Sequence, residues 1–301
     1  MKKTGVGLYG RNGHQINGEL ASISSAYHAG TFDALSDMLV SKDVRLASIC
    51  SPNRGEQAKD VLAALEAGKH VLAEKPCALN ERDLDAILET AKKKNLIFCE
   101  MDASYFTQPF HHAMEIMRTN PIGEVIQAYC QKSYPYTERR QQDETVDGGL
   151  VLQCALYGFR WIQNIAGREA TGIRAIETRS GNPKGGGLVM AASIQMRLDN
   201  GGVASILANY LNQPSTGVWG YEEAKFFGTS GVLHVDAIHN VIYLYSGQEA
   251  IVYDSFPTVE GQLSRVVASI CEGKPLYMDP YRMTMPTRYA IRAKAASAQL
   301  T

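Results

Sequence analysis

The 301-residue chain lacks most of the features that would assign it at a glance. No uncharged apolar run reaches the ~18–20 residues needed to span a bilayer. The opening stretch to Gly13 carries two lysines but too few apolar residues for the core of a signal peptide. These absences predict a cytoplasmic protein with no membrane partner. Neither sign of charge is in excess, since 30 Lys+Arg face 31 Asp+Glu for a net charge of −1, so no field exists to gather nucleic acid. The six cysteines (Cys50, Cys77, Cys99, Cys130, Cys154, Cys271) never fall two to four apart, which excludes the close pairs of zinc and redox motifs. They read as buried, reduced thiols. The histidines are scattered, and the adjacent His111 and His112 cannot put both rings on one helix face, so no metal site is expected.

What is present is globular. Hydrophobic residues are 45% and charged residues 20%, which excludes a disordered tail and a coiled-coil rod. A chain this long buries roughly three quarters of its extended surface and needs no disulfide or metal staple. The first third alternates strand-like and helix-like segments: GVGLYG (5–10), RLASIC (45–50), a helical pattern over 56–67 ended by Gly68, HVLA (70–73), a helix capped by Asn80 and Asp83, and LIFC (96–99). Strands alternating with helices imply a parallel sheet covered on both faces. After Pro121 and Gly123 the pattern changes. One helix is expected at about 149–166. Strand-like runs follow at 171–179, 188–198, 202–211, 224–228, 231–236, 241–245 and 250–253, joined by short turns that suggest a mostly antiparallel sheet. Helical patterns at about 258–272 and 286–299 close the chain, and GNPKGGG (181–187) reads as a flexible connection. The boundary falls near residue 122, giving domains 1–122 and 123–301.

The turn after the first strand, Gly10-Arg11-Asn12-Gly13-His14-Gln15, is where backbone N–H groups would face a pyrophosphate. Gly10 permits the sharp exit, Asn12 stands where a second glycine is usual, and Gln15 replaces the third. An ordinary turn without a ligand remains open on this motif alone.

The stretch from Ser48 to Asn80 is more specific. It places Ser51-Pro52-Asn53 after a strand, then AGKHV, then Glu74-Lys75-Pro76. In this it resembles the Gfo/Idh/MocA oxidoreductase family, which includes glucose–fructose oxidoreductase and inositol dehydrogenase. Weaker likeness runs on through GEVIQ (123–127), LDNGGVASI (198–206) and FFGTSGVLHV (226–235). The resemblance implies an N-terminal Rossmann-type parallel sheet followed by an α/β domain with a large open, mostly antiparallel sheet. It implies a nicotinamide cofactor, NAD(P), across the carboxyl ends of the first sheet. On that basis Gly10, Arg11, Asn12, Gly13, His14, Ser51, Pro52, Asn53 and Glu74 would bind the cofactor, Glu74 at a ribose. Lys75 would point at the substrate hydroxyl, aimed there by a cis bond to Pro76.

At ~100° per residue, the helix at 149–166 puts Leu152, Ala155, Phe159, Ile162 and Ala166 on one arc. Gln153, Tyr157, Arg160 and Asn164 form a narrow polar stripe. Family members commonly carry an aspartate here and, four residues later, a histidine or tyrosine. In this chain the entry is Asp147-Gly148-Gly149, the aspartate position is Gln153 and the later position is Tyr157. The tyrosine form of the acid–base site is therefore expected without its carboxylate. Free tyrosine, with pKa near ~10, is a poor base at neutral pH, and closing three units costs about 4 kcal/mol. A lysine ammonium ~4 Å away at an effective dielectric of ~20 contributes about that much. Tyr157 and Lys75 would be the catalytic pair, with Gln153 orienting a hydroxyl, and Arg160, Tyr134 and Tyr136 would bind other substrate groups.

An NAD-preferring site usually has an acidic residue at the end of its second strand. The best second strand, ASISSAY (21–27), ends without one, which favours NADP. The leading reading is an oxidoreductase that transfers hydride between nicotinamide and a sugar, polyol or related hydroxylated small molecule. The rival is a non-catalytic dinucleotide- or sugar-binding protein that kept the fold, favoured by the irregular turn, by the shortened middle βα unit and by Gln153. The alternating strands of the second sheet leave a face needing cover, so a homodimer or homotetramer is expected.

Overall fold

The computed structural model describes residues 3–11 and 13–297. The chain forms two compact units from interleaved segments. The first contains Met1–Asp102, Thr145–Gly148 and Glu260–Arg288, and the second contains Ala103–Glu144, Gly149–Val259 and Tyr289–Thr301.

The first unit is built on β1 (Thr4–Tyr9), α1 (Asn17–Leu20), β2 (Ala26–Phe32), α2 (Leu35–Val40), β3 (Leu46–Ile49), α3 (Arg54–Glu66), β4 (His70–Ala73), α4 (Glu81–Lys93) and β5 (Phe98–Glu100). Its five strands are parallel in the order β2-β1-β3-β4-β5. Local chemistry sets the helix ends. Asn53 accepts the Gly55 N–H at 2.8 Å to start α3, and Asn80 accepts the Asp83 N–H at 2.9 Å to start α4, caps worth ~1 kcal/mol each. Ala58, Val61 and Leu65 bury the inner stripe of α3, and left-handed Gly68 follows its end.

The second strand differs from the one expected. Ala21–Ser25 is a turn closed by Ser22 N–H to Glu19 O and Ala26 N–H to Ile23 O, and β2 begins only at Ala26. Ile23 packs against the core from that turn, which produces the apolar alternation of a strand without being one. The last segment of the chain returns to this unit: Leu263, Val266 and Val267 of α9 (Gln262–Glu272) join Val6 and Leu8 in one hydrophobic cluster.

The second unit contains α5 (Ala103–Phe106), α6 (Phe110–Met117), β6 (Val125–Ser133), a π-helical stretch (Val151–Ala155) continuous with α8 (Leu156–Asn164), and strands β7 (Ala170–Thr178), β8 (Ala191–Leu198), β9 (Val203–Asn209), β10 (Tyr221–Gly228), β11 (Gly231–Asp236), β12 (Val241–Ser246) and β13 (Glu249–Tyr253). A short α7 (Glu144–Asp147) bridges the segments of the two units, and α10 (Pro280–Ser297) ends the described chain. The eight strands form one sheet, ordered β13-β12-β11-β10-β6-β9-β8-β7, in which only β6 and β9 run parallel. Ala128, Cys130 and Lys132 of β6, Ile206 of β9 and Phe226 of β10 are buried. On α8, Gly158 lies so near the sheet that a Cβ there would sit 2.7 Å from the Ile206 side chain, so this helix needs glycine at its point of approach. Residues 181–187, expected to be a flexible connection, are tied down by Asn182 to Gln142 (2.9 Å) and Lys184 to the Glu138 carbonyl (2.6 Å).

Candidate active site

In an open parallel sheet, ligands bind outside the carboxyl ends of the strands where the strand order reverses. Here that point lies between β1 and β3, because β2 and β3 flank β1 on opposite sides. The turn after β1 is there. Gly10 has φ +75°, and a Cβ on it would meet the Cys50 carbonyl oxygen at 1.9 Å, so only glycine fits. Gln15 knits the turn to the strand, donating to the Tyr9 and Gly10 carbonyls (3.0 and 2.8 Å) and accepting from Ser48 (3.0 Å). Glu74, 1% exposed, accepts the His14 backbone N–H at 2.6 Å and contacts the His14 ring at 3.2 Å. Burial pushes the Glu74 carboxyl upward, but His14, Lys75 and Arg54 together hold it below its ordinary value. Gly13 lies against that carboxylate, where a Cβ would come within 2.6 Å of Glu74 Cγ. Asn12, placed in the cofactor set by sequence, lies outside the described residues.

A second set of bonds fixes the ends of β3 and β4. Buried Gln57 accepts the Ser51 N–H at 3.2 Å and donates to the carbonyls of Glu74 and Pro76, while buried Arg54 donates to Gln57. Ser51 Oγ donates to Asp60 at 2.6 Å, and Asn53 is engaged as the α3 cap, so both side chains hold the turn's shape. Lys75 is 4% exposed and precedes a cis peptide to Pro76. Sequence reasoning missed Arg54 and Gln57, although polar residues on the buried stripe of α3 were a readable signal.

Beside this turn is a cavity of about 490 Å³ lined by Tyr9, Gly10, Arg11, Thr31, Phe32, Asp33 and Pro52. The volume is in the range of ligand pockets. Asp33 follows the last residue of β2, so the strand does end on an acidic residue. The absence that favoured NADP came from placing the strand at 21–27. The lining fits the nucleoside end of a dinucleotide: Asp33 can accept from a ribose diol, Arg11 can face a phosphate, and Gly10 leaves room for close approach.

In the second unit, Tyr157 is 6% exposed and stands at the junction of the π-helical stretch and α8. The helix expected at 149–166 thus opens with a π-helical stretch, and such turns recur at functional sites. Gln153 is half-buried. Lys132, which sequence reasoning missed, lies beneath Tyr157 with its Nζ 3.4 Å from the ring centroid. Alternation in β6 could have revealed it, because Ala128, Cys130 and Lys132 all fall on the inward face. Across the strand pair, Lys132 meets Glu222 in an ion pair. Burial pulls the Lys132 ammonium downward, but Tyr157 and Glu222 more than offset it and raise its proton affinity. Tyr134 and Tyr157 are electrostatic neighbours. Burial, then the neighbouring Tyr157 oxygen, hold Tyr134 firmly as a phenol. Arg160 is buried, 5.8 Å from the Tyr157 ring, and Tyr136 presents a buried hydroxyl without a hydrogen-bond partner among the described residues. Lys75 belongs to the first unit and Tyr157 to the second. Among the described residues no cluster of His, Cys, Asp or Glu could hold a metal ion, and no helix is long and apolar enough to cross a membrane.

Two family models account for most of the chain. Residues 6–101 match the oxidoreductase family with an NAD-binding Rossmann fold, and residues 110–234 match the GFO/IDH/MocA C-terminal domain. The chain belongs to the Gfo/Idh/MocA oxidoreductase family. Among relatives, it is 23% identical to the myo-inositol 2-dehydrogenase of Thermotoga maritima over 71% of this chain and 63% of that one. It is 29% identical to the scyllo-inositol 2-dehydrogenase (NADP(+)) of Bacillus subtilis over 48% of this chain and 45% of that one. These alignments and that to a Streptococcus pneumoniae oxidoreductase span between 32% and 63% of the relatives' own lengths. The fold is shared over 99% of this chain and 98% of the scyllo-inositol dehydrogenase of Lactobacillus casei, solved with NAD(H) and scyllo-inositol, at TM-score 0.78 and 18% identity.

Proposed function

We propose that the protein is an NAD(P)-dependent dehydrogenase or reductase of a sugar, cyclitol or other polyol, and that it prefers NAD(H). The observation that carries the reading is the buried Tyr157 phenol with the Lys132 ammonium against its ring. The bound nicotinamide would supply the hydride acceptor or donor. Gly10, Arg11 and Pro52 would hold its nucleotide, with Asp33 at the ribose. Glu74 and His14 act one step back, by keeping the turn closed. Tyr157 takes the proton of the substrate hydroxyl in oxidation and returns it in reduction, and Gln153 orients a neighbouring hydroxyl; the family resemblance assigns Lys75 to a substrate hydroxyl. Tyr136 offers its hydroxyl to other substrate groups, and Arg160 stiffens the Tyr157 side of the site. The relatives named for inositols support the hydroxylated-ring substrate class. Equilibrium titration with NADH and NADPH tests the reading: binding of NADH in the micromolar range is expected, and binding of neither would overturn this assignment and leave only the sugar-binding form of the alternative.

A further inference from the structure

Of the buried charges outside the cofactor and substrate sets, Glu100 and Asp102 among them, Lys132 is the one against the Tyr157 ring. Lys132 has no place in the cofactor or substrate sets, yet it is a lysine on the inner face of a sheet, 3% exposed, among Ala128, Cys130 and Phe226. A buried ammonium is costly unless paired, and a structural lysine gains nothing here that a methionine would not supply. Its geometry is directed: Nζ lies 3.4 Å from the Tyr157 ring centroid and 5.0 Å from that of Tyr134. Glu222 on the neighbouring strand fixes it from the other side. We propose that Lys132, held in place by Glu222, is a positioning residue that stabilises the phenolate of Tyr157 during proton transfer.

This rests on the reading of Tyr157 as the proton carrier. In oxidation the substrate O–H bond breaks and an O–H bond forms at Tyr157, so a phenolate must exist beforehand. Gln153 is neutral, so it neither repels the phenolate nor carries a proton. The groups around Tyr157 within its unit are Lys132 of β6, Tyr134 just beyond that strand, Glu222 of β10 through Lys132, and Arg160 and Trp161 of α8. Lys132 is the nearer of the two cations, at 3.4 Å from the ring centroid against 5.8 Å for Arg160. A unit charge about 4 Å away at an effective dielectric of about 20 moves a neighbour's ionisation by roughly three pH units, and Glu222 reduces that to roughly one or two.

Absorbance titration of phenolate, taken as the parent minus Tyr157→Phe, isolates the ionisation of Tyr157 without any substrate. In the charge-neutral background Lys132→Met/Glu222→Gln, its midpoint should lie at least one pH unit higher. In Lys132→Arg it should stay within about half a unit of the parent, because the charge is kept. Should that double variant fail to fold, Lys132→Gln/Glu222→Gln serves as the neutral arm. An unmoved midpoint in the neutral variant overturns the proposal, as does an equal shift in Lys132→Arg, which would make the effect one of packing. Tyr157→Phe turning over at the parent's rate would instead remove the proton-carrier reading, and the titration keeps the two failures apart.

Discussion

Replacing Asp33 by serine should erase the discrimination between NADH and NADPH. Asp33 is exposed at the end of β2 and lines the cavity with Gly10 and Arg11, so it meets solvent as well as ligand. A 2′-phosphate carries roughly −1.5 to −2 charges at pH 7. At about 5 Å from a surface carboxylate, where the dielectric is close to that of water, the repulsion is about 1.5 kcal/mol, and physiological salt halves it. NADPH also lacks the 2′-hydroxyl that would donate to the carboxylate, a charged hydrogen bond worth about 1.5 kcal/mol at its lower end. Together these give roughly 2–3 kcal/mol, or a preference of about 30- to 150-fold for NADH. Asp33→Ser removes the repulsion and weakens the hydrogen bond, so the two cofactors should bind within about tenfold of each other. Quenching of Trp fluorescence, or enhancement of nicotinamide fluorescence, reads both affinities. Arg11→Ala should weaken both cofactors about equally if the guanidinium faces the pyrophosphate they share. The reasoning is refuted if the parent binds NADPH as tightly as NADH, or if Asp33→Ser leaves the ratio unchanged.

Other perturbations test separate parts of the account. Gly10→Ala should cost at least 2 kcal/mol and abolish dinucleotide binding, since its Cβ would meet the Cys50 carbonyl at 1.9 Å; Gly68→Ala, also left-handed but with nothing within 4 Å, should cost only about 1 kcal/mol in a denaturant melt. His70 accepts the Ile97 N–H at 2.9 Å, and burial, aided by Arg45, pushes its pKa down to about 4 from 6.5. The unfolded chain therefore binds more protons between pH 6.5 and 4, and stability should fall as pH drops through that window, by about 1–2 kcal/mol after allowance for solvent screening. Melting at pH 7 and pH 5 should show the loss in the parent and less of it in His70→Asn. The uncovered face of the eight-stranded sheet carries Ile176, Val203, Phe227 and Val252, each between 38% and 67% exposed. Light scattering should find at least twice the 33.0 kDa chain mass, and Val203→Lys/Phe227→Lys should return the monomer.

Much of this architecture is legible in the sequence where local chemistry decides it. The Asn80 cap, Gly68 and the short apolar runs of β3 and β4 carry their structure in a few neighbouring residues. The second strand was not legible because β2 is an edge strand of mixed polarity, while Ile23 in the preceding turn supplies the apolar signal instead. That one displacement conceals Asp33. The return of α9 to the first unit depends on contacts between residues some 260 apart, such as Val6 and Val267, which no local pattern carries. Lys132 hides for a different reason: a lysine in a strand ordinarily faces solvent, and only its register with Cys130 and its pairing with Glu222 place it under Tyr157.

The central claim is that Tyr157 carries the proton in nicotinamide-linked oxidation of a hydroxylated ring or chain. Initial rates of reduced-cofactor formation, for parent and Tyr157→Phe over a panel of inositols, aldoses and open polyols, test it most directly. The account predicts turnover of at least one panel member by the parent and a loss of roughly 10²–10⁴-fold in Tyr157→Phe, with cofactor affinity nearly unchanged. Tyr157→Phe oxidising the same substrate at the parent's rate would contradict it.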